Sequence, residues 1–466
     1  VVKGKSGQKK TPFEILNIRL YIAFSLFFNS RFYYPVFTVM YLDYGLTIAQ
    51  FAILNAAWAA TIVAAEVPSG ALADIFGRKK LLVFAGLVMI LELSLITFAP
   101  RGNLDILFML FLLNRILSGF AEAAASGSDE ALAYDSLKKE GLEHEWGRVL
   151  DVKIRFQSIG FILTMITGAA IYDPVLVQNF INLFGCNTVI TQDMTLRVPL
   201  FLTLFMGAAA LYSALKMTDP EFEEINNTHE ELSVKNAFVI TFNAGLWILK
   251  SPFALVIIAT GLVFDGIIRM VVTLSSQYYR MIDLPEASYG IIGALIALMG
   301  FVIPRLSLKM TKSRPPVFNF TVMTLITITG LAGMSFFVPY AGIVFAFILF
   351  SGMYMNSFFI SHYLNRITDS RQRATVLSFK GLFYNLSYGT LGIAYSLLLS
   401  LSRGSVDALH PGSNPDMLED MIFVDTFIWF PGVFAAAIIV LFLFSFIVLK
   451  RSSSLHMAVK TAHPDS

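Results

Sequence analysis

The chain has 466 residues, 56% of them hydrophobic and 14% charged, with a mean hydropathy of +0.69 and a formal net charge of +2. Soluble domains carry about 25% charged residues, so this composition excludes a water-soluble globule and specifies an integral membrane protein. The single cysteine, Cys186, excludes an internal disulfide and a cysteine-built metal cluster.

Residues 1–14 are polar and basic, with Lys3, Lys5, Lys9 and Lys10, and read as a cytoplasmic tail without a cleavable signal. Six apolar runs follow at 15–41, 48–73, 80–99, 104–127, 150–172 and 196–216, each long enough to supply the ~20 residues of a spanning helix. The acidic, polar stretch TDPEFEEINNTHEELSVKN then breaks the pattern and predicts a cytoplasmic linker. Six more runs lie at 252–280, 287–309, 316–338, 342–366, 373–401 and 422–449. Continuous apolar runs favour helices over a barrel, because each helix pairs its own backbone groups in lipid.

The expected fold is all-α, with twelve transmembrane helices in two six-helix bundles. Its parts are a tail at 1–14, a bundle at 15–216, a linker at 217–250, a bundle at 251–450 and a tail at 451–466, the last expected to be disordered. The longer outward loops are 173–195 and 402–421, the second acidic and read as a solvated loop.

Cations gather on one side: Arg78, Lys79 and Lys80; Lys138, Lys139 and Arg148; Arg305, Lys309, Lys312 and Arg314; Arg366, Arg371 and Arg373. The other side shows Arg101, Arg197, Arg280 and Arg403. The positive-inside rule then puts both termini in the cytoplasm.

An ionisable residue at mid-membrane costs at least ~2.5–3.5 kcal/mol and is a functional candidate by default. Helix rise places Arg31 near the middle of the first span, in FFNSRFYYP, and lets Arg115 and Glu122 bracket the middle of the fourth. Seven residues apart, the latter two share a face. Asp265 and Arg269 pair at i and i+4 in the seventh span. Asn356, with Tyr354 and Ser357, lies at similar depth in the tenth. Tyr33 and Tyr34 offer an aromatic wall whose hydroxyls need partners when buried. Glu66 in the second span faces either a cavity or the cytoplasmic end, above a helix-bending Pro68. Glu92 in the third span has no evident role beyond a protonated or paired acid. Lys380 is read as snorkelling, His362 as an interface residue with a proton relay as the alternative, and Gly119, Ala123 and Gly127 as a small-residue packing stripe.

One short loop carries more than a topology signal. GALADIFGRKK, residues 70–80, matches G-x-L-a-D-r-x-G-r-k at Gly70, Leu72, Asp74, Gly77, Arg78 and Lys79, and departs from it at Ile75. With twelve spans in a 6+6 layout, it resembles the major facilitator superfamily. LLNRILSGFAEAAA is similar to that family's R-x-x-x-G element, with Arg115 and Gly119. The glycine–proline run of antiporting exporters is missing from QSIGFILTMITGAA.

The resemblance implies the major facilitator fold, a cavity lined by the first, fourth, seventh and tenth spans, and alternating access. It also implies that the 70–80 loop is a cytoplasmic latch. Gly70 and Gly77 allow close backbone approach and a sharp turn, and Asp74 accepts from free N–H groups or pairs with Arg78. Asp129, with Glu130, Asp135 and Arg155, either extends that latch or forms an ordinary solvated helix end.

The expected function is secondary transport of a small organic solute, anionic or zwitterionic and partly apolar. Arg31, Tyr34, Arg115, Arg269 and Asn356 would contact it, and Glu122, Asp265 and Glu66 would couple protons. A multidrug-type proton antiporter for cationic amphiphiles, or a receptor without flux, are the alternatives. The six histidines are scattered singly, and no ATP-binding loop, enzymatic constellation or nucleic-acid-binding surface is present in the sequence. No enzyme, cofactor or metal is expected. The expected partners are the solute, protons and membrane lipid, and the expected setting is a monomer in a bacterial inner membrane.

Overall fold

The computed structural model describes residues 11–185, 188–219, 248, 251–367, 373–412 and 414–462. Cys186 and nearly all of the predicted linker at 217–250 lie outside the described residues.

All regular structure among the described residues is helical. The first half contains α1 (Leu16–Asn29), α2 (Phe37–Asp43), α3 (Ile48–Phe76), α4 (Arg78–Thr97), α5 (Leu104–Ala125), α6 (Ser128–Lys139), α7 (Trp146–Tyr172), α8 (Pro174–Asn182), α9 (Gln192–Thr195) and α10 (Val198–Lys216). The second contains α11 (Pro252–Thr273), α12 (Ser275–Met281), α13 (Glu286–Ser313), α14 (Pro316–Met334), α15 (Ile343–Ile367), α16 (Arg373–Leu409), α17 (Pro415–Phe427) and α18 (Trp429–Ala462).

Ten helices among the described residues are long and apolar enough to cross a membrane. The two remaining predicted spans are the interrupted α1–α2 and the long α16. The protein is thus an all-helical integral membrane protein, and the tail past Lys450 continues α18 as helix to Ala462 instead of the expected disorder.

Local chemistry sets the helix ends. Thr47 and Gln50 form a reciprocal capping box at the start of α3. Asn103 and Asp173 accept the first free N–H groups of α5 and α8. Proline at the first turn opens α8, α10, α11, α14 and α17, where its missing N–H costs nothing.

The chain divides into two compact units, Val1–Phe238 with Leu284–Ala297, and Val239–Asp283 with Leu298–Ser466. In the first, α5 packs on α3 and α4, and α10 on α4 and α1. Small residues set these approaches: a Cβ on Gly86 would meet the Leu211 backbone, and one on Gly119 would meet Thr61 and the Trp58 carbonyl. Gly119 and the buried Ala123 therefore do pack as expected. Gly127 does not; it has open space around it and takes φ +73° to turn the chain from α5 into α6. In the second unit, α11 packs on α15, α16 and α18, and Gly330 lets α14 approach the Leu349 backbone of α15. Tyr278, Phe337, Phe423, Phe427 and Phe430 form an aromatic cluster there.

Candidate functional site

The first span is not one helix. α1 stops at Asn29, and the chain turns through Ser30–Tyr33 and a short 3-10 turn at Tyr34–Val36 before α2 starts. Two neighbours hold the break. The Phe32 N–H donates to Thr203 Oγ1 of α10 at 3.0 Å, and the Phe32 carbonyl sits against Gly168 of α7, where a Cβ would overlap it. Irregular backbone in a membrane survives only with its polar groups so satisfied.

Arg31 lies in this break, 4% exposed, with Nη1 2.8 Å from Glu92 Oε1 of α4. Glu92 is fully buried, and Asn114 of α5 donates to both its carbonyl, at 2.9 Å, and its Oε2. The carboxyl without an evident role is thus the counter-ion of an arginine expected to face substrate. An ion pair this deep requires such extra hydrogen bonds to offset desolvation.

Arg115 of α5 is 7% exposed and donates from Nη2 to Asn55 Oδ1 of α3 at 2.8 Å. Its guanidinium lies 5.3 Å from the Phe37 ring centre and 5.2 Å from that of Trp58. Asn55 is itself fixed by donating to the Phe51 carbonyl at 2.8 Å. Tyr34 is 46% exposed and edge-on to Phe37, whereas Tyr33 is buried. Glu122, two turns along α5 from Arg115, is exposed, and Glu66 is half-buried with Oε2 lacking a donor.

The second unit carries its own cluster. Asp265 Oδ2 and Arg269 Nη2 of α11 pair at 2.6 Å. Arg269 Nη1 donates to Asn385 Oδ1 of α16 at 2.9 Å, and its guanidinium lies 5.4 Å from the Tyr388 ring centre. Lys380, expected to snorkel, is half-buried with its ammonium 5.4 Å from the centre of the Tyr384 ring. Asn356 of α15 is buried with its Oδ1 lacking a donor. His362 stacks on Phe358. A separate 180 Å³ cavity, lined by Ile267, Met270, Leu391, Tyr395, Phe430 and others, contains no charged group.

At the predicted latch, Gly77 takes φ +93° and serves as both the end of α3 and the cap of α4, a conformation that favours glycine. Arg78 pairs with Asp135 of α6. The side chain of Asp74, and Gly70 beyond its helical backbone, lie outside the described residues. Asp129 accepts from the Glu130 N–H at 2.8 Å, while Glu130 pairs with Lys153 of α7 at 2.8 Å. Arg155 pairs with Asp151 on its own helix at 2.7 Å, away from that network.

Asn55, Trp58, Asn114, Asn385 and Tyr388 are not singled out by the sequence. They bear no charge, and the only signal available was an asparagine inside an apolar run, twice followed three residues later by an aromatic ring.

Residues 20–392 match the family model of the Major Facilitator Superfamily. Among solved structures, the fold resembles a bacterial homologue of the human lysosomal transporter Spinster, inward-facing and unoccupied, at 15% identity and TM-score 0.68, covering 95% of this chain and 99% of that one. It also resembles the nucleoside transporter NupG, at 13% identity and TM-score 0.65, covering 93% of this chain and 99% of that one. A D-xylose–proton symporter aligns at 10% identity and TM-score 0.61, over 89% of this chain and 97% of that one. At such identities the likeness concerns the fold alone. No curated protein matches the chain.

Proposed function

The chain belongs to the Major Facilitator Superfamily and is a secondary transporter, not an enzyme; we propose that it moves a small organic anion or zwitterion with an apolar part, coupled to protons. The observation that carries this reading is the pair of arginine clusters in apolar helices, Arg115 with Asn55 and Arg269 with Asp265 and Asn385. Fixed cations at such depth favour a negative group on the solute. Aromatic faces at Tyr34, Phe37, Trp58 and Tyr388 suit its apolar part. Arg31 contributes through the electrostatics of its pair with Glu92, and Asn356 through a carbonyl free to accept from the solute.

Asp265 is the candidate proton carrier. Its carboxylate holds Arg269 in place, and protonation would remove that attraction and release the guanidinium. Glu122 and Glu66 are the further carboxyls of the proposal. The cytoplasmic latch is built from Gly77, Arg78 and Asp135, with Gly70, Asp74 and Asp129 in the same region. The two states it serves differ by a few kcal/mol at most, as any element that alternates requires. We place the protein in a bacterial inner membrane as a monomer, with both termini cytoplasmic.

The exposed Glu122 favours a second reading, in which it receives a cationic amphiphile exchanged for protons. Uptake into proteoliposomes under an imposed pH gradient separates the two. Flux of organic acids that collapses with the gradient supports the first reading. Flux of cations alone supports the second, and binding without flux identifies a receptor.

A further inference from the structure

Two arginines in apolar helices are held in the same way. Arg115 is gripped by the Asn55 carbonyl and stacks on Trp58; Arg269 is gripped by the Asn385 carbonyl and stacks on Tyr388. In both, the amide and the ring stand three residues apart on one neighbouring helix, and so on one face. The helices are the second and fourth spans in one half, and the first and fifth in the other. An inherited repeat would use corresponding helices, so the recurrence reflects a common chemical need. A neutral amide and a ring orient a guanidinium without discharging it.

The two clamps differ in counter-charge. Arg269 has Asp265 one turn earlier, a carboxylate on which Lys380 of α16 also acts. The equivalent position before Arg115 is Phe111, which is buried and apolar. Among the described residues Arg115 makes no direct ion pair: Glu92, held by Arg31 and Asn114, acts on it only at longer range, the Tyr41 hydroxyl is a neutral neighbour, and Glu122 lies about 10 Å along the helix by its rise. Arg115 Nε is buried and has no acceptor. A donor left unmade on a buried cation whose nearest carboxylate is already paired with another arginine is costly. What completes it is a negatively charged acceptor, and the exposed Tyr34 beside Phe37 marks the side from which one would arrive.

We infer that Arg115, through Nε, is the subsite that receives the substrate's carboxylate or other oxyanion, and that Arg269, already in an ion pair with Asp265, is not. This rests on the anionic-solute reading above and narrows it from three arginines to one, with Asn55 as its positioning residue.

Asn55→Asp tests it by installing the missing counter-ion in nearly the same shape, with Asn385→Asp as the control. The purified full-length protein is melted alone and with 3-phenylpropionate, phenylphosphonate or 3-phenylpropylamine. Asn55→Asp is expected to raise the ligand-free melting temperature by about 3 °C or more. It is also expected to abolish the protection that wild type gains from the anionic probes. Asn385→Asp, beside an Arg269 that already has Asp265, is expected to raise the melting temperature less than Asn55→Asp does.

An Asn55→Asp protein that melts at or below wild type, or keeps its anion affinity within twofold, overturns the inference. So does a wild type that no anionic probe protects. Should Asn55→Asp fail to fold, Arg115→Gln carries the same test, with the same gain in stability and loss of protection expected. Flux reports separately on the transport reading: anion flux that survives in Asn55→Asp sinks the Arg115 subsite alone. Cation flux with no anion flux in wild type sinks the substrate reading, while the stability signs still report on the charge of Arg115.

Discussion

Arg31 in the break of the first span and Glu92 in the third form an ion pair of 2.8 Å across 61 residues of sequence, with both partners almost wholly buried. Each neutralises a charge the apolar interior could not otherwise hold. Removing one partner of such a pair costs about 3–5 kcal/mol, whereas replacing both by apolar residues of similar volume is often neutral or better. Glu92→Ala should therefore lower the melting temperature by roughly 10 °C, and Arg31→Met with Glu92→Leu should recover most of it. Equal losses in the single and double variants would refute the pairing.

Gly168→Ala should disturb the same break from the other side. The added methyl would overlap the Phe32 carbonyl, and something in the first or fifth span must shift. Overpacking of this kind costs about 1–3 kcal/mol. The expected result is a lower melting temperature together with reduced flux. Gly147→Ala, a change in open space on the same helix, should do neither.

Asp265→Asn should uncouple transport from the proton gradient. The amide keeps the shape but cannot gain or lose a proton, and it attracts Arg269 far less than the carboxylate does at 2.6 Å. Uptake that depends on an imposed pH gradient in wild type should become insensitive to it, with exchange of substrate across the membrane retained. A variant whose uptake still follows the gradient would remove Asp265 from the coupling, and Glu122→Gln would then be the next substitution.

Arg78 and Asp135 make a charge-swap test of the latch. Both are only partly buried, so the pair is worth about 1 kcal/mol or less in stability. Its effect should appear in function: Arg78→Asp or Asp135→Arg alone should slow transport, and the double exchange should restore much of it. Failure of the double exchange to improve on either single variant would show that Arg78 acts through other partners.

Much of the architecture was legible because the spans are long and the bilayer sets their length. The apolar runs around 80–99 and 196–216 became α4 and α10 with ends shifted by a few residues. Arg115 and Arg269 were legible for a related reason, since a charge inside an apolar run is conspicuous. What hydropathy cannot show is where a span unwinds. Residues 15–41 read as one segment, although Pro35 sits inside it and the chain is irregular from Ser30 to Tyr33. Nor can it show pairing at a distance: Glu92 lacked a reason in its own helix, because the reason is Arg31. Asn55 and Asn385 carry no charge and so drew no notice, yet they fix both guanidinium groups. At the 70–80 loop the motif offered Asp74 two roles, accepting from free N–H groups at a helix start or pairing with Arg78. Asp135, one of the groups read as extending the latch or as an ordinary helix end, does pair with Arg78, whereas the Asp74 side chain lies outside the described residues.

The bond from the Phe32 amide to Thr203 also bears on how the chain is built. Membrane helices enter the bilayer roughly in the order they are synthesised, and the first span enters with one amide whose eventual acceptor sits on the sixth. Until that helix arrives, the cheapest state for Phe32 in lipid is a continuous helix that satisfies its own backbone. Such a helix would still bend at Pro35, which has no N–H to give the Arg31 carbonyl, so the sixth span settles the Phe32 amide and not the existence of a bend. A chain that ends after the fifth span lacks Thr203, the acceptor that holds Phe32 beside the Arg31 that pairs with Glu92.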